Sequence, residues 1–184
     1  MIDLPLSAWF HAHSHPLVTQ LMLAITHWHS TMGVLLMVLV LGLALYFAGR
    51  PWWLLSLVLS VGGGMLLNVA VKHLVQRARP YFDQPVLELG LTSYSFPSGH
   101  TAQATLFYGF LTAFLLSHAQ ARRWRGGIVA AAVTMVLLVG LSRIYLGAHY
   151  FTDVVAAMVE GLLWLGVCLG GVQALWRRRT GGAA

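Results

Sequence analysis

The chain has 184 residues, of which 58% are hydrophobic and only 9% charged, with a net charge of +6. Soluble domains carry about 25% charged residues, so this composition excludes an ordinary water-soluble enzyme and points to one membrane-embedded domain over residues 1–184. Eleven basic residues scattered between apolar runs make no nucleic-acid footprint, and a single cysteine, Cys168, excludes an intramolecular disulfide.

Residues 2–13, with Trp9, Phe10 and several histidines, have the composition of an interfacial segment, and no basic n-region or cleavage site marks a signal peptide. His11 and His15 share a helix face, with His13, His27 and His29 nearby. No cysteine or carboxylate cluster completes a coordination set, so all five read as interfacial side chains and no metal site is expected. Residues 16–29 are apolar but short, either a tilted span or an interfacial segment.

A bilayer core takes about 20 apolar residues of helix. Residues 31–49 and 51–71 meet that need without a charge, separated by the turn Gly49-Arg50-Pro51. Further runs follow at 101–121, at 126–142 (extending to about Leu146) and at 150–176, the last interrupted only by Glu160. The expected fold is an all-α polytopic transmembrane bundle of five spans plus a short N-terminal sixth, with a flexible tail at 180–184. Gly62-Gly63-Gly64, Gly140 and Gly170-Gly171 are expected at close helix contacts.

Arg50, the group Arg122, Arg123 and Arg125, and the group Arg177 to Arg179 all fall on one side of this arrangement, which the positive-inside rule makes the cytoplasm. Three polar motifs fall on the other. They are Lys72-(six residues)-Arg79-Pro80, Pro97-Ser98-Gly99-His100, and Ser142-Arg143-(five residues)-His149-(three residues)-Asp153. Ionisable groups at the edge of apolar spans are costly and mark a functional site by default. A long polar insert, 77–97, joins the first two motifs and reads as a rim over the site.

Lys72 and Arg79 lie seven apart on nearly one helical face, and Pro80 places Arg79 at the surface. They suit phosphate oxygens, although two snorkelling cations would explain this motif alone. Ser98 stands at a helix N-cap position, where backbone N–H groups near Gly99 form an anion site beside His100. His149 and Asp153, at i and i+4, share a face, so the carboxylate can fix the imidazole tautomer and leave the other nitrogen as nucleophile or base. Glu160 lies two turns below Asp153 and reads as a protonated or hydrogen-bonded interior carboxyl, and Asn68, one turn below Lys72, as an interhelical hydrogen-bonding group. His73, Gln76 and Arg77 read as interfacial.

Together the three motifs resemble those of the type 2 phosphatidic acid phosphatase family, which includes bacterial membrane lipid phosphatases. The resemblance covers about residues 31–176. It implies that His149 is the nucleophile forming a phosphohistidine, that Asp153 orients it, and that His100 protonates the leaving oxygen. It further implies that Lys72, Arg79, Ser98, the Gly99 amide and Arg143 hold the phosphoryl oxygens without metal or other cofactor. The expected activity is hydrolysis of a lipid phosphate or diphosphate at the outer face of a bacterial inner membrane. Undecaprenyl diphosphate is the first candidate, and phosphatidylglycerol phosphate and phosphatidic acid the alternatives. A lipid phosphotransferase would use the same site. Vanadium haloperoxidases share such a pocket but are soluble, and a channel would need polar residues running through the membrane.

Overall fold

The computed structural model describes residues 2–82, 93–179 and 181, and every regular element among them is helical. In chain order these are α1 (Asp3–Ala12), α2 (Pro16–Trp28), α3 (Thr31–Phe47), α4 (Pro51–Leu57), α5 (Gly63–Val75), α6 (Gly99–Leu116), α7 (Arg125–Tyr145) and α8 (Phe151–Arg179). A five-residue π-helical turn, Val58–Gly62, joins α4 to α5, and a 3-10 segment, Ala119–Trp124, leads into α7. The part of the expected rim at 83–92 and the tail residues 180 and 182–184 lie outside the described residues.

Local chemistry sets these boundaries. Pro16 and Pro51 open α2 and α4 at positions where a missing N–H costs nothing. Ser30 caps α3 by accepting from the Gly33 amide at 3.3 Å. Gln76 ends α5 in the left-handed region, φ 51°, and turns the chain out of the helix just before Arg77. Gly147, at φ 68°, supplies the turn between α7 and α8 that carries His149.

Among the described residues, three helical segments are long and apolar enough to cross a membrane: Pro51–Val75, Ala119–Tyr145 and Phe151–Arg179. α2 and α3 pass the same test only as a pair bent by 50°. At 29 residues α8 is about 44 Å long, so its last turn, with Arg177 to Arg179, reaches beyond a hydrocarbon core of about 30 Å. The expected span at 101–121 proves to be the 18-residue α6, which ends at Leu116 and fails the test alone. The reason is its position. α6 is surrounded by other helices, and eight of its residues are buried, including Thr101, Gln103 and Thr105. Such polar residues lower its hydropathy without meeting lipid, since Thr105 donates to the Thr101 carbonyl at 2.8 Å and Gln103 to Thr31 at 3.3 Å.

The apolar core forms around α6, where Leu106 and Phe110 pack with Val34, Leu45, Leu57, Val61 and Leu165. Close helix approach uses Gly63, Gly64 and Gly140 of the expected set and adds Gly161. A Cβ at Gly140 would lie 2.7 Å from Val154, and one at Gly161 would lie 3.0 Å from Thr105, whereas Gly62, Gly170 and Gly171 face open space. Gly63 makes room for Trp164, whose ring would lie 2.8 Å from a Cβ there and whose indole N–H donates to the Leu59 carbonyl in the π turn at 3.0 Å.

The N-terminal histidines do not behave alike. His13 stacks on Trp9, and His11 stacks on Phe82 with ring centroids 4.3 Å apart, as expected near an interface. His29 is instead buried, 1% exposed, and bonded to Tyr108 Oη at 2.8 Å and to the Ile25 carbonyl, so its reading as interfacial is corrected. Its ring closes the helix end between α2 and α3 with bonds on both nitrogens.

Candidate active site

The three polar motifs converge at one end of the bundle. Lys72 comes from the last turn of α5, Ser98 and His100 from the start of α6, Arg143 from the last turn of α7, and Asp153 from the first turn of α8. Arg79 and His149 lie on the connecting segments. Helix ends collect here because each motif borders an apolar run. The interhelical contacts bring residues as far apart in sequence as Lys72 and Asp153 to one place.

Backbone bonds brace the pocket. The Ser98 amide donates to the Asp153 carbonyl at 3.1 Å, tying α6 to α8. The His149 and Ala148 amides both donate to the Arg143 carbonyl, at 3.1 and 3.0 Å, which fixes the His149 turn against α7. Lys72 Nζ donates to the carbonyls of Pro97 and Tyr94 at 2.6 and 3.1 Å and holds the segment before α6. Ser98 occupies the expected N-cap position, but its hydroxyl makes no cap bond to backbone and accepts from Thr101 Oγ1 at 3.0 Å instead. The amides of the first turn of α6 are therefore left for another acceptor.

His149 is 2% exposed, and its Nε2 faces Arg79 Nη1 at 3.3 Å. Arg79 is itself held by the Ala148 carbonyl at 2.7 Å and by Ser93, through carbonyl and hydroxyl, at 2.9 and 2.8 Å. Nε2 is thus the nitrogen turned toward the cations, and Nδ1 the one turned toward Asp153. Burial, then the neighbouring cations Arg143, Arg79 and Lys72, push the His149 pKa down to about 3 against the opposing pull of Asp153. The imidazole is neutral, as a nucleophile requires.

Asp153 and His149 do not share a helix face, since His149 precedes α8 in the turn; they are nonetheless neighbours, with Nδ1 to Oδ2 at 3.6 Å, too long for a hydrogen bond, and Nδ1 has no other partner. The carboxylate is occupied by groups read otherwise from the sequence. Oδ1 accepts from Arg77 Nη1 at 2.7 Å, and Oδ2 accepts from Ser95 Oγ at 2.5 Å and the Tyr150 amide at 2.9 Å. The interfacial reading of Arg77 is therefore corrected. Ser95 was not singled out either. Its signal was its place two residues before the Pro97–His100 motif.

Arg143 is buried and donates to Thr26 Oγ1 of α2, while its Nε has no partner. His100 makes no side-chain hydrogen bond among the described residues, so its imidazole is free to meet a ligand. Below the pocket, Asn68 donates to Glu160 Oε2 at 3.0 Å, which joins α5 to α8 and gives each of these interior polar groups its partner. Four cations, Lys72, Arg77, Arg79 and Arg143, surround two carboxylates, Asp153 and Asp3, leaving an excess of two positive charges. A phosphate monoester carries about −1.5 to −2. Among the described residues no group of three His, Cys, Asp or Glu is placed to hold a metal ion.

Comparison with known proteins agrees with this geometry. The model of the PAP2 superfamily matches residues 53–177. Phosphatidylglycerophosphatase B of Bacillus subtilis is 34% identical over 149 residues, which span 80% of this chain and 72% of that protein. Undecaprenyl-diphosphatase of Sulfolobus acidocaldarius is 34% identical over 110 residues, 58% of this chain but only 49% of that protein. A crystal structure of a transmembrane PAP2-type phosphatidylglycerolphosphate phosphatase from Bacillus subtilis superposes with a TM-score of 0.84 at 30% identity, covering 92% of this chain and 84% of that one. The helical bundle, the converged motifs and these matches lead to one assignment: the chain belongs to the PAP2 superfamily and is a lipid phosphate phosphatase.

Proposed function

We propose that the protein hydrolyses a lipid phosphate or diphosphate in two steps through His149. The substrate's terminal phosphate fills the cationic pocket, its oxygens meeting Lys72, Arg79, Arg143, Ser98 and the first amides of α6. His149 Nε2 attacks phosphorus, a P–N bond forms, and the P–O bond to the lipid breaks. The leaving oxygen takes a proton from His100. Asp153 Oδ2, 3.6 Å from Nδ1, closes on it to accept a hydrogen bond from Nδ1–H as the ring gains positive charge. Water then attacks the phosphohistidine, giving up a proton to His100, and releases inorganic phosphate. Preorganised cations supply most of the stabilisation, because the transition state of phosphoryl transfer spreads charge over the equatorial oxygens.

The observation that carries this reading is the 3.3 Å contact between Arg79 and His149 Nε2. It puts the nitrogen that would attack among the groups that would hold the phosphate. Alkaline-quench labelling with a 32P-lipid tests it: a base-stable, acid-labile phosphoprotein forms in wild type and is absent in His149→Ala.

The chain is read as one domain with five crossings, α3, α4–α5, α6, α7 and α8, and a sixth short one at α2. The site then opens to the periplasmic or outer face, because Arg50, Arg122, Arg123, Arg125 and Arg177 to Arg179 mark the opposite end as cytoplasmic. Two headgroups fit a terminal phosphate on a membrane anchor. The relative that spans 80% of this chain favours phosphatidylglycerol phosphate. The small loops and the second relative favour undecaprenyl diphosphate. Phosphate release across a panel of both, with phosphatidic acid, selects between them. Transfer to a lipid hydroxyl rather than water would appear as product that depends on acceptor.

A further inference from the structure

A second carboxylate reaches the catalytic centre from the opposite end of the sequence. Asp3, in α1, is 8% exposed. Its Oδ2 accepts from Arg77 Nη2 at 2.8 Å and from Thr152 Oγ1 at 2.6 Å, and its Oδ1 accepts from the Thr152 amide at 3.0 Å. Burial pushes its pKa up, but the bonds from Arg77 and Thr152 outweigh this and hold it below the usual carboxylate range. Arg77 also donates to Thr152 Oγ1 at 2.7 Å, and its guanidinium lies 4.1 Å from the centre of the Tyr150 ring. One arginine fork therefore joins α1, the turn bearing His149 and the first turn of α8.

We propose that Asp3 and Arg77 are positioning residues of the catalytic centre, Asp3 acting through Arg77 to set how Asp153 faces His149. The inference rests on the nucleophilic role of His149. Arg77 bonded to Asp153 alone would neutralise it and keep its Oδ1 edge locked, leaving little negative charge for an imidazole gaining a positive one. Shared with Asp3, the same arginine orients Asp153 while the three groups keep one net negative charge. The other charged or titratable groups around His149 and Asp153 are Lys72 of α5, Arg79 after it, His100 of α6 and Arg143 of α7, with Glu160 deeper on α8. None of these is altered by changes at Asp3 or Arg77.

The two residues therefore have opposite electrostatic signatures. Arg77→Gln removes a positive charge beside Asp153, raises the proton affinity of the His149–Asp153 pair and moves the acid limb of kcat to higher pH. Asp3→Asn removes a negative charge and moves it to lower pH. Each shift is about half a unit, as expected for one charge acting through a neighbour in a partly solvated site. Neither residue touches the phosphate, so KM stays within about twofold while kcat falls about 10- to 100-fold in Arg77→Gln and less in Asp3→Asn. Because Asp3 acts through Arg77, the double variant matches Arg77→Gln rather than multiplying the two losses.

The experiment is steady-state phosphate release from short-chain phosphatidic acid in detergent micelles from pH 8 down to about pH 2, so that a limb set by a group depressed to about 3 is spanned, with His149→Ala as blank. Limbs that move in opposite directions with a non-additive double variant support the inference. Limbs that stay fixed or move together, or losses that multiply, overturn it. Asp3→Glu guards against a folding defect in Asp3→Asn: it keeps the charge and restores the wild-type limb, and a limb displaced as in Asp3→Asn counts against the proposal. Turnover that persists in His149→Ala would sink the phosphohistidine reading itself, an outcome separate from any shift at Asp3 or Arg77.

Discussion

The two ends of the bundle spend their cations differently. At one end Lys72, Arg77, Arg79 and Arg143 are buried or half-buried, each held by carbonyls, carboxylates or hydroxyls. At the other end Arg50, Arg122, Arg123, Arg125 and Arg177 to Arg179 are exposed, and two of them lie over tryptophans, Arg123 on Trp124 and Arg179 on Trp52. Seven of the eleven basic residues sit at this exposed end, in turns that contain no acidic residue. A cavity of about 580 Å³ also opens there, lined by Trp52, Trp53, Trp176 and Arg50, far from the motif residues. Neither charge count nor cavity size therefore marks the chemistry. Under the proposed mechanism, fixed, desolvated cations around a neutral imidazole do, because only those act on a phosphate without first reorganising.

The contrast is most directly broken at His149. His149→Ala removes the attacking nitrogen and is expected to lower phosphate release at least about 1,000-fold with the thermal unfolding profile in detergent retained. Near wild-type turnover would mean that the cationic end is not the reacting one. Next in size, Arg79→Ala takes away a held guanidinium facing Nε2 and should cost about 100-fold in kcat/KM. Arg79→Lys should recover only part of it, since a point charge cannot keep the Ser93 and Ala148 bonds together.

A spectroscopic measurement sharpens the comparison without turnover. An ordinary histidine with a pKa near 6.5 is mostly protonated at pH 5, whereas His149, depressed to about 3, keeps its neutral form down to that region. Nitrogen-15 histidine spectra at pH 5, assigned by loss of a signal in His149→Ala, should show a neutral ring. A protonated one would remove the argument that the pocket preserves a nucleophile. The smallest effect belongs to the exposed end. Replacing Arg122, Arg123 and Arg125 by Gln should change kcat/KM by less than about twofold, while cysteine-accessibility labelling of topology registers the lost charge. A large kinetic loss there would erase the distinction between the two ends.

Much of this end was legible from spacing. Spacing brought Lys72 toward Arg79 and His149 toward Asp153, but not by the helical faces expected: α5 stops at Val75, before Arg79, and α8 begins at Phe151, after His149, so each pair meets across a helix end. Asn68 as an interhelical hydrogen-bonding group and Glu160 as a bonded interior carboxyl were each legible, but not that they would bond each other. Contacts between segments distant in sequence were not legible. Arg77 looks like a flanking surface charge until Asp3, 74 residues earlier, is seen on its other nitrogen. Asp153 is legible as a partner of His149, but not as a carboxylate already engaged by Arg77, Ser95 and the Tyr150 amide. α6 was overextended because an apolar count cannot tell a helix facing lipid from one surrounded by helices. His29 was misplaced because nothing local announces Tyr108 as its partner.

The π turn at Val58–Gly62 makes the rod from Pro51 to Val75 unequally tolerant of length changes. Its hydrogen-bonded ring contains one residue more than an α-helical ring, so the turn stores a spare position. Removing one residue within it can tighten the turn to α-helix and leave the faces above and below in register, at the cost of the Trp164 contact with Leu59. The same deletion in α5 has no slack to absorb it and rotates everything beyond by about 100°. Lys72 would then turn away from the cationic pocket toward the lipid face.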